Sequence, residues 1–265
     1  MAKLKGGLPF KGSLDNISVY TRWDMDTPIV RIKGGPSKQK IKKDPAFALT
    51  RRYQGEFGSR SKQGGNINKV LYPIKPVLGI NVVSAFGTMV QPAQEHDKVS
   101  HLGQRSILLS QVPELLNGVN LNKLNPFETI LSTPLSCTGS REDLKVSVKL
   151  PAINPGFNFH PIGTFPVYRL IVVAGIVPDY HYDPLKGYCH YYDLGVSLPE
   201  VDYGEWTSVR EPAASRTVEL TLPHSLERED HCLLVAAGIS FGLVRAASNF
   251  EAVRGAGCGK VVGVF

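Results

Sequence analysis

The chain has few cysteines, and none stands in the Cys-x-x-Cys pairing that zinc ribbons and thioredoxin-like sites require. Cys137, Cys189, Cys232 and Cys258 lie far apart, three of them beside apolar, Gly-rich or aromatic runs, which is the setting of reduced and mostly buried thiols. Long apolar runs are missing too. The longest, residues 170–177 and 232–239, fall far short of a membrane span and read as buried strands. No apolar stretch of the secretory kind follows the opening lysines, so a cytoplasmic protein with no membrane partner is expected. Histidine is absent from the first 80 residues, and none lies beyond His231.

What is present is a polarised charge. Of the net +7, residues 1–80 contribute 16 Lys plus Arg against 5 Asp plus Glu, while the remainder has 14 basic and 18 acidic side chains. Two regions of opposite electrostatic habit share one chain, and the first attracts acidic partners.

Residues 17–23 and 27–33 are rich in β-branched and aromatic side chains and flank the turn-prone Asp24, Met25 and Asp26, which predicts a β-hairpin. Gly34-Gly35-Pro36-Ser37 ends it and a lysine-rich stretch follows. Asp44-Pro45 is a helix start with a capping carboxylate and proline at the first helical position. Glycines at 55, 58, 64 and 65 predict that this helix is broken or short. Between 79 and 122 the apolar spacing gives two or three short helices.

After Pro134, residues 144–150 and 217–222 alternate apolar and polar, the period of half-buried strands. Residues 170–176 and 233–239 are apolar throughout and resemble one another, as two central strands of one sandwich would. The expected fold is α+β, in three parts: a basic hairpin-plus-helix module over 1–78, a short helical connector over 79–135, and a C-terminal antiparallel β-sandwich, Greek-key-like, over 136–265.

Catalytic patterns are weak. Gly238-Ile239-Ser240-Phe241-Gly242 matches the G-x-S-x-G elbow of hydrolases, but that fold needs an acid and then a histidine downstream, and neither aspartate nor histidine follows here. His181, Cys189 and His190, with Asp179 and Asp183, allow a metal site to be drawn, at a spacing that matches no established ligand pattern. The same loop is the most aromatic part of the chain, with Tyr180, Tyr182, Tyr191, Tyr192, Tyr203 and Trp206 as candidate interface rings. Interspersed carboxylates also admit a carbohydrate-binding or glycosidase reading.

The strongest local signal is basic. Lys33, Lys38, Lys40, Lys42 and Lys43, with Arg51 and Arg52 beyond them, form a partner- or phosphate-binding cluster; the spacing is not that of a P-loop. The run Lys11-Gly12-Ser13-Leu14, Ser18-Val19-Tyr20, GGPSKQKIKKDPAF (34–47), Thr50-Arg51 and Glu56-Phe57-Gly58 resembles a family of bacterial proteins that open with this module. The resemblance covers about the first quarter of the chain and implies no activity, cofactor or site residue. The function expected is a non-catalytic structural protein, without cofactor or metal, that forms a homo-oligomer or binds another protein through its basic module. Nucleic-acid binding by the same lysines is the alternative, and carbohydrate or metal binding a second.

Overall fold

The computed structural model describes residues 2–3, 10–21, 27–190, 198–223, 230–246 and 249–265, with the backbone alone for 2–3, 188 and 246. Two compact units form, Met1–Arg51 and Arg52–Phe265.

In the first unit, four short strands, β1 (Ala2–Lys3), β2 (Gly12–Leu14), β3 (Ile17–Tyr20) and β4 (Ile29–Ile32), make an antiparallel sheet in the order β1-β4-β3-β2. The pairing of β3 with β4 is the expected hairpin; its turn lies outside the described residues. β2 was not foreseen, because three residues are too few to show a period. A single turn of helix follows, α1 (Lys38–Lys43), capped by Ser37, whose hydroxyl accepts from the Lys40 amide. Asp44 then caps a 3-10 turn, Pro45–Phe47, as its sequence signature requires.

α2 (Ala48–Val70) runs unbroken for 23 residues through all four glycines, which corrects the expectation of a broken helix. The reason is packing. A Cβ on Gly64 would lie 2.4 Å from the Val83 carbonyl oxygen, and one on Gly87 3.4 Å from the Arg60 carbonyl oxygen, so two backbones cross here at a distance only glycine permits. Tertiary contact offsets the poor propensity. The crossing partner is α3 (Val82–Met89), followed by α4 (Gln91–His96) and two 3-10 turns where two or three short helices were expected, and then, beyond that window, by the short α5 (Phe127–Ile130).

Strands occupy the rest of the second unit. β5 (Ser136–Ser140) and β6 (Lys145–Leu150) form a three-stranded sheet with β12 (Arg216–Thr221), in the order β12-β6-β5. The larger sheet is built on β7 (Val167–Pro178), β13 (His231–Ala246) and β14 (Asn249–Val264). β8 (His181–Asp183) and β9 (Tyr188–His190) form a separate ribbon, while β10 (Glu200–Tyr203) and β11 (Thr207–Ser208) add to the β7 edge. β7 and β13, the two look-alike runs, pair antiparallel with Leu170 opposite Ile239.

They are apolar on both faces because both faces are covered. Ile171, Val173 and Val177 join Ile67, Ile74 and Phe86 of the helical segment, whereas Val172, Ala174 and Ile176 meet Val146, Val148 and Val218 of the smaller sheet. The second unit is therefore a helical layer, a five-stranded sheet and a three-stranded sheet. The α+β class stands. The helical segment is a layer of this core, and the larger sheet has helices as well as strands against it.

Candidate functional site

In the first unit, α1 buries none of its residues, and Lys33, Lys38, Lys40, Lys42 and Lys43 are all exposed. Lys33 Nζ donates to the Asp15 carbonyl oxygen at 2.8 Å. Arg51 is committed to the fold: its guanidinium donates to the carbonyl oxygens of Ile41 (2.7 Å) and Asp44 (2.9 Å), tying off the C-terminal end of α1. Arg52 belongs to the second unit, where its Cα and Cβ lie about 3 Å from where a Gly103 Cβ would stand. The turn that starts at Asp44 holds that residue's own carboxylate on the Ala46 amide, at 2.9 Å.

The sheet of the same unit carries a feature the sequence did not announce. Cross-strand pairing puts Leu14 opposite Ile17 and Ile17 opposite Ile32, so three aliphatic side chains form one row on one face of the sheet. They are 66%, 38% and 72% exposed, while among the described residues of this unit Val19 and Ile29 alone are buried apolar side chains.

Of the candidate interface rings, Tyr180 is a correction: it is buried in the helix-side core, where its oxygen lies 3.4 Å from the Asn66 side-chain amide, so it offers nothing to a partner. Tyr182 packs partly against the same core. Tyr191 and Tyr192 lie outside the described residues. Tyr203 and Trp206 come together, but around a cation. The Arg169 guanidinium carbon is 4.8 Å from each ring centroid, so the arginine is held between them. Trp206 in turn stacks on Phe250 (6.0 Å) and covers Gly242, where a Cβ would stand 2.7 Å from the indole.

That contact also explains the G-x-S-x-G run. Ser240 sits in mid-strand in β13, buried, with its hydroxyl unpartnered, and no strand-to-helix elbow forms; the flanking glycines make room for Trp206 and for Ile74 and Val77. His181 and His190 are direct cross-strand neighbours, and His190 Nε2 is 3.1 Å from Asp183 Oδ2. No group of three His, Cys, Asp or Glu arranged to hold a metal ion occurs among the described residues. Burial raises all four thiols, Cys137 to about 11, so none is a ready thiolate nucleophile. Asp202, one of the loop acids, is ion-paired to Arg216 at 2.6 Å.

Sequence reasoning missed an open cleft of about 570 Å³ in the second unit, between the 3-10 turn Tyr72–Val77 and strands β10 and β14. Tyr72, Lys75, Tyr203 and Arg254 line it with two prolines and Ala252. Its components come from three distant segments, each unremarkable alone; the one local hint is Tyr72-Pro-Ile-Lys-Pro76, whose prolines suit a tight helical turn.

No protein-family model, curated protein or solved structure matches the chain. Among the described residues no helix is long and apolar enough to cross a membrane.

Proposed function

We propose that this chain is a non-catalytic assembly protein whose first unit docks on an acidic protein surface, that of a second copy of the chain. The supporting observation is the exposed row Leu14-Ile17-Ile32 together with five exposed lysines, in a unit that buries two apolar side chains of its own among those described. A module of some 50 residues with so small a core gains most by covering an apolar face against a partner. Like-charged first units repel, so a head-to-body contact is favoured over a symmetric one: the second unit is neutral overall, and within it residues 81–265 carry 18 acidic side chains against 14 basic.

The test is Leu14→Asp combined with Ile32→Asp, changes at exposed positions that leave both units folded. Light scattering is expected to show the intact chain larger than a monomer and the variant monomeric. A second variant, with Lys33, Lys38, Lys40, Lys42 and Lys43 changed to Ser, separates this reading from duplex binding. If the five lysines neutralise phosphates, log affinity for duplex DNA falls with log salt at a slope of roughly −4 to −5 and the variant loses it. Docking on protein instead predicts weak DNA binding and an assembly weakened by the five changes.

A further inference from the structure

We propose that the cleft between Tyr72 and Tyr203 is a binding site for a nucleoside phosphate, its base stacked on the tyrosine rings and its phosphate held by Lys75 and Arg254. This is independent of the docking of the first unit, since every residue involved lies in the second.

The chemistry of the lining selects the ligand. Tyr72 and Tyr203 are 65% and 48% exposed and approach the cleft from different elements, so two ring faces meet at one opening. Among the described residues, two cations and no carboxylate or side-chain amide line the cleft. A neutral sugar needs acceptors for its hydroxyls, and the lining supplies none from acidic or amide side chains; a simple metal cation is repelled. An anion with a flat apolar face satisfies both rings and charges, and about 570 Å³ is in the size range of small-molecule sites.

The neighbouring charges agree. Asp202, next to Tyr203, is paired with Arg216, and Glu251, next to Ala252, with Arg245 at 2.5 Å, while Glu205, two residues past Tyr203, lines a separate pocket with Arg216. Behind Tyr203, Arg169 has no ion pair among the described residues, and its Nε is buried without a hydrogen-bond partner. A partly buried guanidinium without a carboxylate carries a desolvation cost that only aromatic faces offset here. It leaves the wall of the cleft electropositive, and an anion in front of Tyr203 reduces that cost. Lys75 Nζ stands 5.4 Å from the Tyr72 centroid, so each tyrosine of the cleft has a cation at its ring.

The nucleoside phosphate arrives free or as a unit of a single strand, and the experiment distinguishes the two. The full chain is titrated calorimetrically at low salt with AMP, adenosine, inorganic phosphate, a thymidine hexanucleotide and a hexaglutamate peptide. AMP is expected to bind saturably, with adenosine and phosphate each at least about tenfold weaker, because stacking and charge each contribute. A hexanucleotide more than about tenfold tighter than AMP assigns the site to a single strand, and equal affinity assigns it to the free nucleotide; both support the proposal. Lys75→Ser with Arg254→Ser, both exposed, is expected to abolish binding at an unchanged unfolding midpoint, and Tyr72→Ala to weaken it about tenfold. The five-lysine variant of the first unit is expected to bind AMP as the intact chain does. The proposal is overturned by absence of saturable binding of both AMP and hexanucleotide up to roughly 1 mM, by binding that survives the double change, by its loss in the five-lysine variant, or by hexaglutamate binding as well as AMP.

Discussion

The two units divide the physical work of the chain. Residues 1–51 hold 11 Lys plus Arg against 4 Asp plus Glu, and the rest of the chain holds 19 of each, so the entire net charge resides in the unit with the smaller core. The second unit buries three apolar clusters and places the Arg105–Glu56 ion pair, its carboxylate almost fully buried, inside the architecture. Core and net charge are thus separated along the sequence. The proposed docking gives a partner to the exposed row of the first unit and to the exposed lysines of α1, for which no ion pair forms among the described residues.

The largest effect that tests the contrast is a core truncation. Phe86, fully buried among helix-side residues, is expected on change to Ala to lower the stability of the second unit by about 3–5 kcal/mol in urea unfolding. Val19→Ala, at one of two buried apolar positions in the first unit, is expected to leave that main transition in place. Equal shifts from the two substitutions would erase the distinction between the units.

A smaller effect comes from within α2. Gly64→Ala forces a methyl into the Val83 carbonyl and is expected to cost about 1–3 kcal/mol, whereas Gly58→Ala meets nothing within 4 Å and is expected to gain about 0.5–1 kcal/mol from helix propensity. Thermal melts of the two variants should move in opposite directions.

Those glycines also mark where the sequence stopped being legible. Alternation at 144–150 and continuous apolarity at 170–176 and 233–239 report strand burial directly, because each residue's face is set by a period of two. The capping carboxylate at Asp44 is equally local. Gly64 is different: its meaning depends on Gly87 and Val83 across a helix crossing, and propensity alone misread it. The Arg169 sandwich was invisible for the same reason, since Tyr203 and Trp206 were seen as partner-facing rings while their cation lay over 30 residues upstream. The cleft, drawn from three segments, left in the sequence only the proline-flanked turn at 72–76.

Acid sensitivity should also belong to the second unit. Burial tends to raise the Glu56 pKa, but paired hydrogen bonds from Arg105 (2.7 and 2.6 Å) and one from the Gly103 amide (2.9 Å) outweigh it and hold the carboxyl below its ordinary 4.5. A carboxyl depressed on folding contributes stability that is present above its unfolded pKa and lost as pH falls through the folded value. Asp179 works against this trend, because burial raises its pKa despite the Ser110 hydrogen bonds, and its unfavourable contribution is relieved as pH falls. Glu56→Gln is therefore expected to be less stable at pH 7 and to show a shallower loss of stability below pH 4.5 than the intact chain. An unchanged acid limb would remove Glu56 from the account.

The smallest expected effect concerns Ser240. Its buried hydroxyl has no partner, so Ser240→Ala is expected to change stability by less than about 1 kcal/mol and to leave assembly unchanged. Labelling of Ser240 by a fluorophosphonate probe would contradict its place as a packed strand residue.

The most direct measurement is the mass of the native particle by sedimentation over a range of concentrations, for the intact chain and for Leu14→Asp with Ile32→Asp. A first unit that docks on a second copy predicts a concentration-dependent mass above that of the 29.0 kDa chain, collapsing to the monomer in the variant. A monomer at every concentration, or an oligomer indifferent to the two substitutions, would contradict it.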